Sequence, residues 1–170
     1  MREVAVLALD GFVPFDLGIP CQIFGNAIGR RGRLAYRVRV CAERPEVPSS
    51  SFLLRTPWRL DQLSAAHTVV IPGIADFSGP VSKPVLAALR TAWENGARIA
   101  SICSGAFVLA AAGLLEGRRA TTHWICAAEL AERFPGIDVD PDVLFVDEGR
   151  IITSAGVAAG VDMCLHLVRR

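Results

Sequence analysis

Arg98-Ile99-Ala100-Ser101-Ile102-Cys103-Ser104-Gly105-Ala106-Phe107 is the stretch that decides the fold. Ala97 to Ile102 reads as a buried strand running straight into a cysteine, and small residues then open a helix from Ser104 to Leu115. Strand, sharp turn and helix in immediate succession have the geometry of a nucleophile elbow. Such a turn lifts its side chain over the carboxyl edge of a parallel sheet. The helix start beside the sulfur is expected to favour thiolate over thiol. The competing reading is a buried structural cysteine.

Outward from this turn, short β-branched runs alternate with longer helical patterns. That is the pattern of an α/β fold, a doubly wound, mostly parallel sheet with helices on both faces. Val4 to Leu9 reads as the first strand, turned by Asp10-Gly11, and Pro20 suits the first turn of a helix reaching about Ala27. Tyr36 to Val40 alternates and reads as a half-exposed or edge strand, while Glu43 to Pro57 reads as loop, with room for a short hairpin. Thr68 to Ile71 is a buried strand stopped by Pro72-Gly73, and Val85 to Trp93 an amphipathic helix. Ala127 to Arg133 is helical, Val143 to Val146 and Ile151 to Thr153 form a hairpin, and Val157 to Val168 is the last helix. No repeat or linker divides residues 1–170, so one domain is expected. The last helix is still apolar at Leu167 and Val168, and a further domain is expected to follow.

At 170 residues, 52% hydrophobic and 21% charged, the chain has the make-up of a globular domain with a real core, which excludes disorder. Lys and Arg number 18 against 17 Asp and Glu, and this balance argues against direct nucleic-acid binding. Arg30-Arg31-Gly32-Arg33 reads as a solvated loop. The start lacks a secretory signal and no stretch suits a bilayer, so a cytoplasmic protein is expected. Five cysteines without CxxC or metal spacing then imply neither a disulfide framework, a metal site nor a cofactor. Cys21, Cys41, Cys126 and Cys164 sit in apolar patterns and read as core.

Chemistry around Cys103 needs partners. Backbone N–H groups near Gly73, with that of Ser104, are placed to form an oxyanion hole. Asp16 follows the first strand on the same edge, among Val13, Pro14, Phe15, Leu17 and Ile19. A carboxylate in that company tends to hold its proton and then donate to the sulfur; the alternative is a solvated turn residue or helix cap. His123 is the histidine placed for catalysis, since His67 precedes a strand and His166 lies in the last helix. Its alternative role is packing on Trp124. Phe12, Phe15, Ile74 and Trp124 are candidate pocket walls, suited to a small uncharged or amine-bearing molecule.

Several runs together carry a resemblance. They are Cys103 to Ala110, Ala112-Gly113-Leu114-Leu115, Gly117 to Trp124, Asp16-Leu17 with Pro20 and Phe24, Val70 to Gly73, and Ile152 to Asp162. With them the chain resembles the ThiJ/PfpI superfamily over essentially its whole length, which implies a flavodoxin-like, class I glutamine-amidotransferase-like fold. Within it the chain looks most like the N-terminal domain of AraC-type transcriptional regulators. This implies a ligand-sensing, homodimerising domain, with DNA bound by a helix-turn-helix domain outside the chain. It is also similar to isonitrile hydratases, in which the residue matching Cys103 is the nucleophile and that matching Asp16 assists protonation. Other branches fit less well. PfpI-type peptidases have histidine where Ser104 stands, the amidotransferase Cys-His-Glu triad lacks its glutamate after His123, and the deglycase-like branch has glutamate near Asp16. A scaffold serving only dimer contacts is the third reading.

Overall fold

The computed structural model describes residues 1–29 and 32–170. Arg30 and Arg31 of the basic cluster lie outside the described residues. The main sheet has six strands. β1 (Arg2–Leu7), β2 (Tyr36–Cys41), β5 (Thr68–Ile71), β6 (Arg98–Ile102) and β10 (Ile151–Ser154) run parallel, and β9 (Phe145–Glu148) pairs antiparallel with β10. The order is β2-β1-β5-β6-β10-β9, so the alternating Tyr36 run does lie at an edge. β3 (Glu46–Pro48) and β4 (Leu53–Arg55) form the short hairpin expected in the long loop.

Helices α1 (Pro14–Gly25), α2 (Lys83–Glu94), α3 (Gly105–Ala111), α4 (Ala127–Arg133) and α5 (Ala158–Arg169) cover the two faces. Side-chain alternation along β1 builds both cores at once. Val4, Val6 and Ala8 join Leu17, Phe24, Met163 and Leu167 under α1 and α5. Ala5 and Leu7 join Val85, Leu89, Phe107 and Leu130 under the other three helices. This doubly covered parallel sheet is the architecture expected from the strand–helix alternation.

Several boundaries differ, among them those of α1, β1 and α3. α1 starts at Pro14 and not Pro20, because Pro14 already occupies the first turn, where a missing N–H costs nothing. Pro20 sits inside the helix and leaves the carbonyl of residue 16 without its usual partner. β1 stops at Leu7, although the N–H of Ala8 still reaches the carbonyl of Cys41 at 2.8 Å. α3 ends at Ala111, well before Leu115, because Gly113 turns the chain at φ +76°. One pairing has no counterpart in the sequence pattern: β7 (Arg119–Ala120) beside β8 (Asp138–Val139), each too short to leave a periodic signal.

Candidate functional site

Cys103 joins β6 to α3 with φ 57°, a left-handed conformation that costs a non-glycine residue about 1–3 kcal/mol. Surrounding bonds hold it there. Its N–H donates to the carbonyl of Ser154 at 3.0 Å, and its own carbonyl accepts from Thr122 Oγ1 at 2.8 Å. Ser104 Oγ accepts from the Ile74 N–H at 2.8 Å and donates to the Ile74 carbonyl at 2.7 Å, clasping α3 to the loop after β5.

Asp16 lies in the first turn of α1 and is 1% exposed. It accepts from the Gly73 N–H at 3.3 Å, and Cys103 lies beside it across Gly73. Burial raises the Asp16 carboxyl above its ordinary range, while the Gly73 N–H, the nearby Cys103 thiol and His123 pull the other way. The Cys103 thiol is pushed up to about 11, by burial first and by the charge of Asp16 second. The Ser104 N–H at the helix start offsets only part of this. Burial and the Asp16 charge thus oppose the thiolate that the helix start was expected to favour. Only about one molecule in 10⁴ carries thiolate at pH 7 when a thiol titrates near 11. Alkylation of Cys103 by iodoacetamide should accordingly be slow at pH 7 and climb steadily through pH 10. A rate already at its plateau at pH 7, read by peptide mass spectrometry, would contradict this.

Two of the N–H groups near the expected oxyanion site have protein partners. The Gly73 N–H is taken by Asp16 and the Ile74 N–H by Ser104 Oγ, so in this conformation neither is free to meet a substrate oxygen. Gly73 serves by lacking a side chain, since a Cβ there would lie 2.5 Å from Asp16 Oδ2 and 3.1 Å from Cys103 Cβ.

His123 both packs on Trp124 and borders the sulfur. Its Nδ1 accepts the Ile125 N–H at 3.3 Å, so the neutral ring carries its proton on Nε2. The ring stacks on Trp124 with centroids 5.8 Å apart. It also lies on the sulfur side: a Cβ on Gly156 would stand 2.6 Å from His123 Cδ2 and 3.3 Å from Cys103 Sγ. Gly156 and the next residue, Val157 with φ 57° and its N–H toward Asp16, complete the site. Sequence reasoning gave neither a role, because their partners lie far away in the chain and only the glycine itself hinted at a close approach.

The candidate pocket walls separate. Phe15 and Trp124 are 55% and 71% exposed, whereas Phe12 and Ile74 are buried. A cavity of about 520 Å³ opens at the ends of β1 and β5, and of these four residues Ile74 alone lines it. Cys103 does not line it. Among the described residues, no group of three or more His, Cys, Asp or Glu side chains could hold a metal ion.

Asp16, Gly73, Cys103, His123 and Gly156 thus converge from five segments at the carboxyl edge of one sheet. The DJ-1/PfpI family profile matches residues 2–170. The chain belongs to the DJ-1/PfpI family. The HTH-type transcriptional regulator GbdR of Pseudomonas aeruginosa is 30% identical over 99% of this chain and 46% of its own length. Isonitrile hydratase of Pseudomonas putida is 32% identical over 74% of this chain and 54% of its own. The crystal structure of an AraC family transcriptional regulator from Pseudomonas putida superposes with TM-score 0.84 at 20% identity, covering 100% of this chain and 92% of that one. This DJ-1/PfpI chain spans about half the length of these two sequence relatives. No described helix is long and apolar enough to cross a membrane.

Proposed function

We propose that this domain is the ligand-sensing and dimerising half of an AraC-type regulator, cytoplasmic, with DNA contacted by a domain outside residues 1–170. The observation that carries the reading is the match of 99% of this chain to 46% of a helix-turn-helix regulator. Net charge +1 agrees, since a domain that gripped DNA itself would usually be basic. A Cys103 thiol pushed up to about 11 suits a sensor more than a site that turns a substrate over. Phe15, Trp124, Ile125 and Val157 are all exposed, a set of large apolar side chains that supports homodimerisation.

A second reading rests on the Asp16–Cys103 contact together with the isonitrile hydratase relative. In it Cys103 attacks the isonitrile carbon and Asp16 supplies the proton. A thermal-shift screen of small metabolites separates the two. Sensing predicts a compound that stabilises both the wild type and Cys103→Ser and is recovered unchanged. Consumption that disappears in Cys103→Ser would overturn the sensor and establish the hydratase.

A further inference from the structure

The sheet topology bears on where a sensed molecule would sit. The chain leaves β1 toward β2 on one side, whereas β5 leads to β6 on the other, so helices depart to opposite faces. Such a switch point leaves a crevice outside the carboxyl ends of the two strands, the usual ligand position in open α/β sheets. The 520 Å³ cavity occupies that place and lies within the range of small-molecule sites. Its inner wall is apolar, with Ala8, Val47, Ile74 and Val85 all buried.

Its rim carries charge. Asp10, Glu43 and Asp76 face one cation, Arg44, which pairs with Asp10. Among the described residues Glu43 and Asp76 form no salt bridge, and both are held in place. Glu43 accepts from Ser82 Oγ at 2.8 Å, and Asp76 accepts from the Ser78 N–H at 3.0 Å and from Ser78 Oγ at 2.6 Å. The Ser78 bonds keep Asp76 ionised by holding its carboxyl below the ordinary range. Lys83, next to Ser82, does not line the cavity.

We propose that this switch-point cavity, and not the Cys103 turn, is the ligand site, and that it takes a small organic cation whose apolar body fills the inner wall while its ammonium meets Glu43 and Asp76. The proposal rests on the sensor reading for its biological meaning but not for its chemistry. Ile74 belongs to both regions, lining the cavity while its backbone is clasped by Ser104.

Three probes with one tail test the head group: n-hexylamine, n-hexanol and hexanoate, titrated into ¹⁵N-labelled protein of residues 1–170. Hexylamine should shift the amides of residues 74–82 saturably, and the other two should be at least about tenfold weaker. Gly79→Trp, at a position with nothing within 4 Å of an added Cβ, should block the cavity and abolish the shifts. Cys103→Ser should leave them unchanged. Equal responses to the three probes, no saturable response, or shifts centred on His123 and Gly156 would each overturn the assignment. A metabolite from the thermal-shift screen that binds at Cys103 would leave the sensor reading standing while removing this one.

Discussion

Gly105→Ala is expected to destabilise the domain by about 3 kcal/mol, the upper end of the usual cost of overpacking a filled interior. In most helices the same change is favourable by roughly 0.5–1 kcal/mol, so the expected sign is itself diagnostic. The reason is the approach of α3 to β5. A Cβ on Gly105 would stand 2.4 Å from the Ile71 carbonyl oxygen and 2.8 Å from that of Pro72. These are backbone atoms at the end of a strand flanked by β1 and β6, with Val69, Val70 and Ile71 fully buried. Neither side can yield cheaply, and moving α3 would also break the Ser104 clasp on Ile74. Urea unfolding measures it, and at this size the loss corresponds to roughly 6–12 °C in Tm. Gly18→Ala in α1 is the control, because nothing lies within 4 Å of its added Cβ. A Gly105→Ala protein as stable as the wild type would mean that α3 does not seat against the end of β5.

Asp16→Asn should act in the opposite direction. Burial raises the Asp16 carboxyl, so the folded protein holds that proton more tightly than the unfolded chain, whose ordinary value is 3.8. Stability from this group is therefore fullest below 3.8 and is lost as pH rises through the folded value. Asparagine fills the same space without a charge to desolvate. The variant should be more stable than the wild type at pH 7, by about 0.5–2 kcal/mol, with the difference closing toward pH 3. Removing the charge also relieves Cys103, whose thiol should fall from about 11 toward its ordinary 9.0. Each unit of that fall gives about tenfold more thiolate at fixed pH and a correspondingly faster alkylation at pH 8. A less stable variant, or an unchanged alkylation rate, would contradict the electrostatic account of the site.

The turn at Cys103 was legible because its signals are local: an apolar strand, a cysteine and small residues without a loop. The covered parallel sheet followed from unbroken runs such as Thr68 to Ile71. Pro20 misled because either of two prolines suits a first turn, and only the position of Pro14 against the sheet selects between them. Cys103 and Asp16 could be named, yet the balance between helix start and burial depends on how much water reaches the sulfur, which no spacing encodes. The same holds for Gly73 and Gly156, whose missing side chains matter only against Asp16 and His123 from distant segments. The cavity is assembled from the ends of three strands and the loop before α2, and so left no motif.

If the domain is a sensor, ligand binding on it must alter how two copies associate. Sedimentation equilibrium of the chain, with and without the most stabilising compound from the thermal-shift screen, tests this directly. The expected result is a homodimer whose dissociation constant changes at least about fivefold when the compound is bound, the lower end of ordinary allosteric coupling. A monomer under both conditions, or a dimer whose constant stays the same with the compound bound, would contradict it.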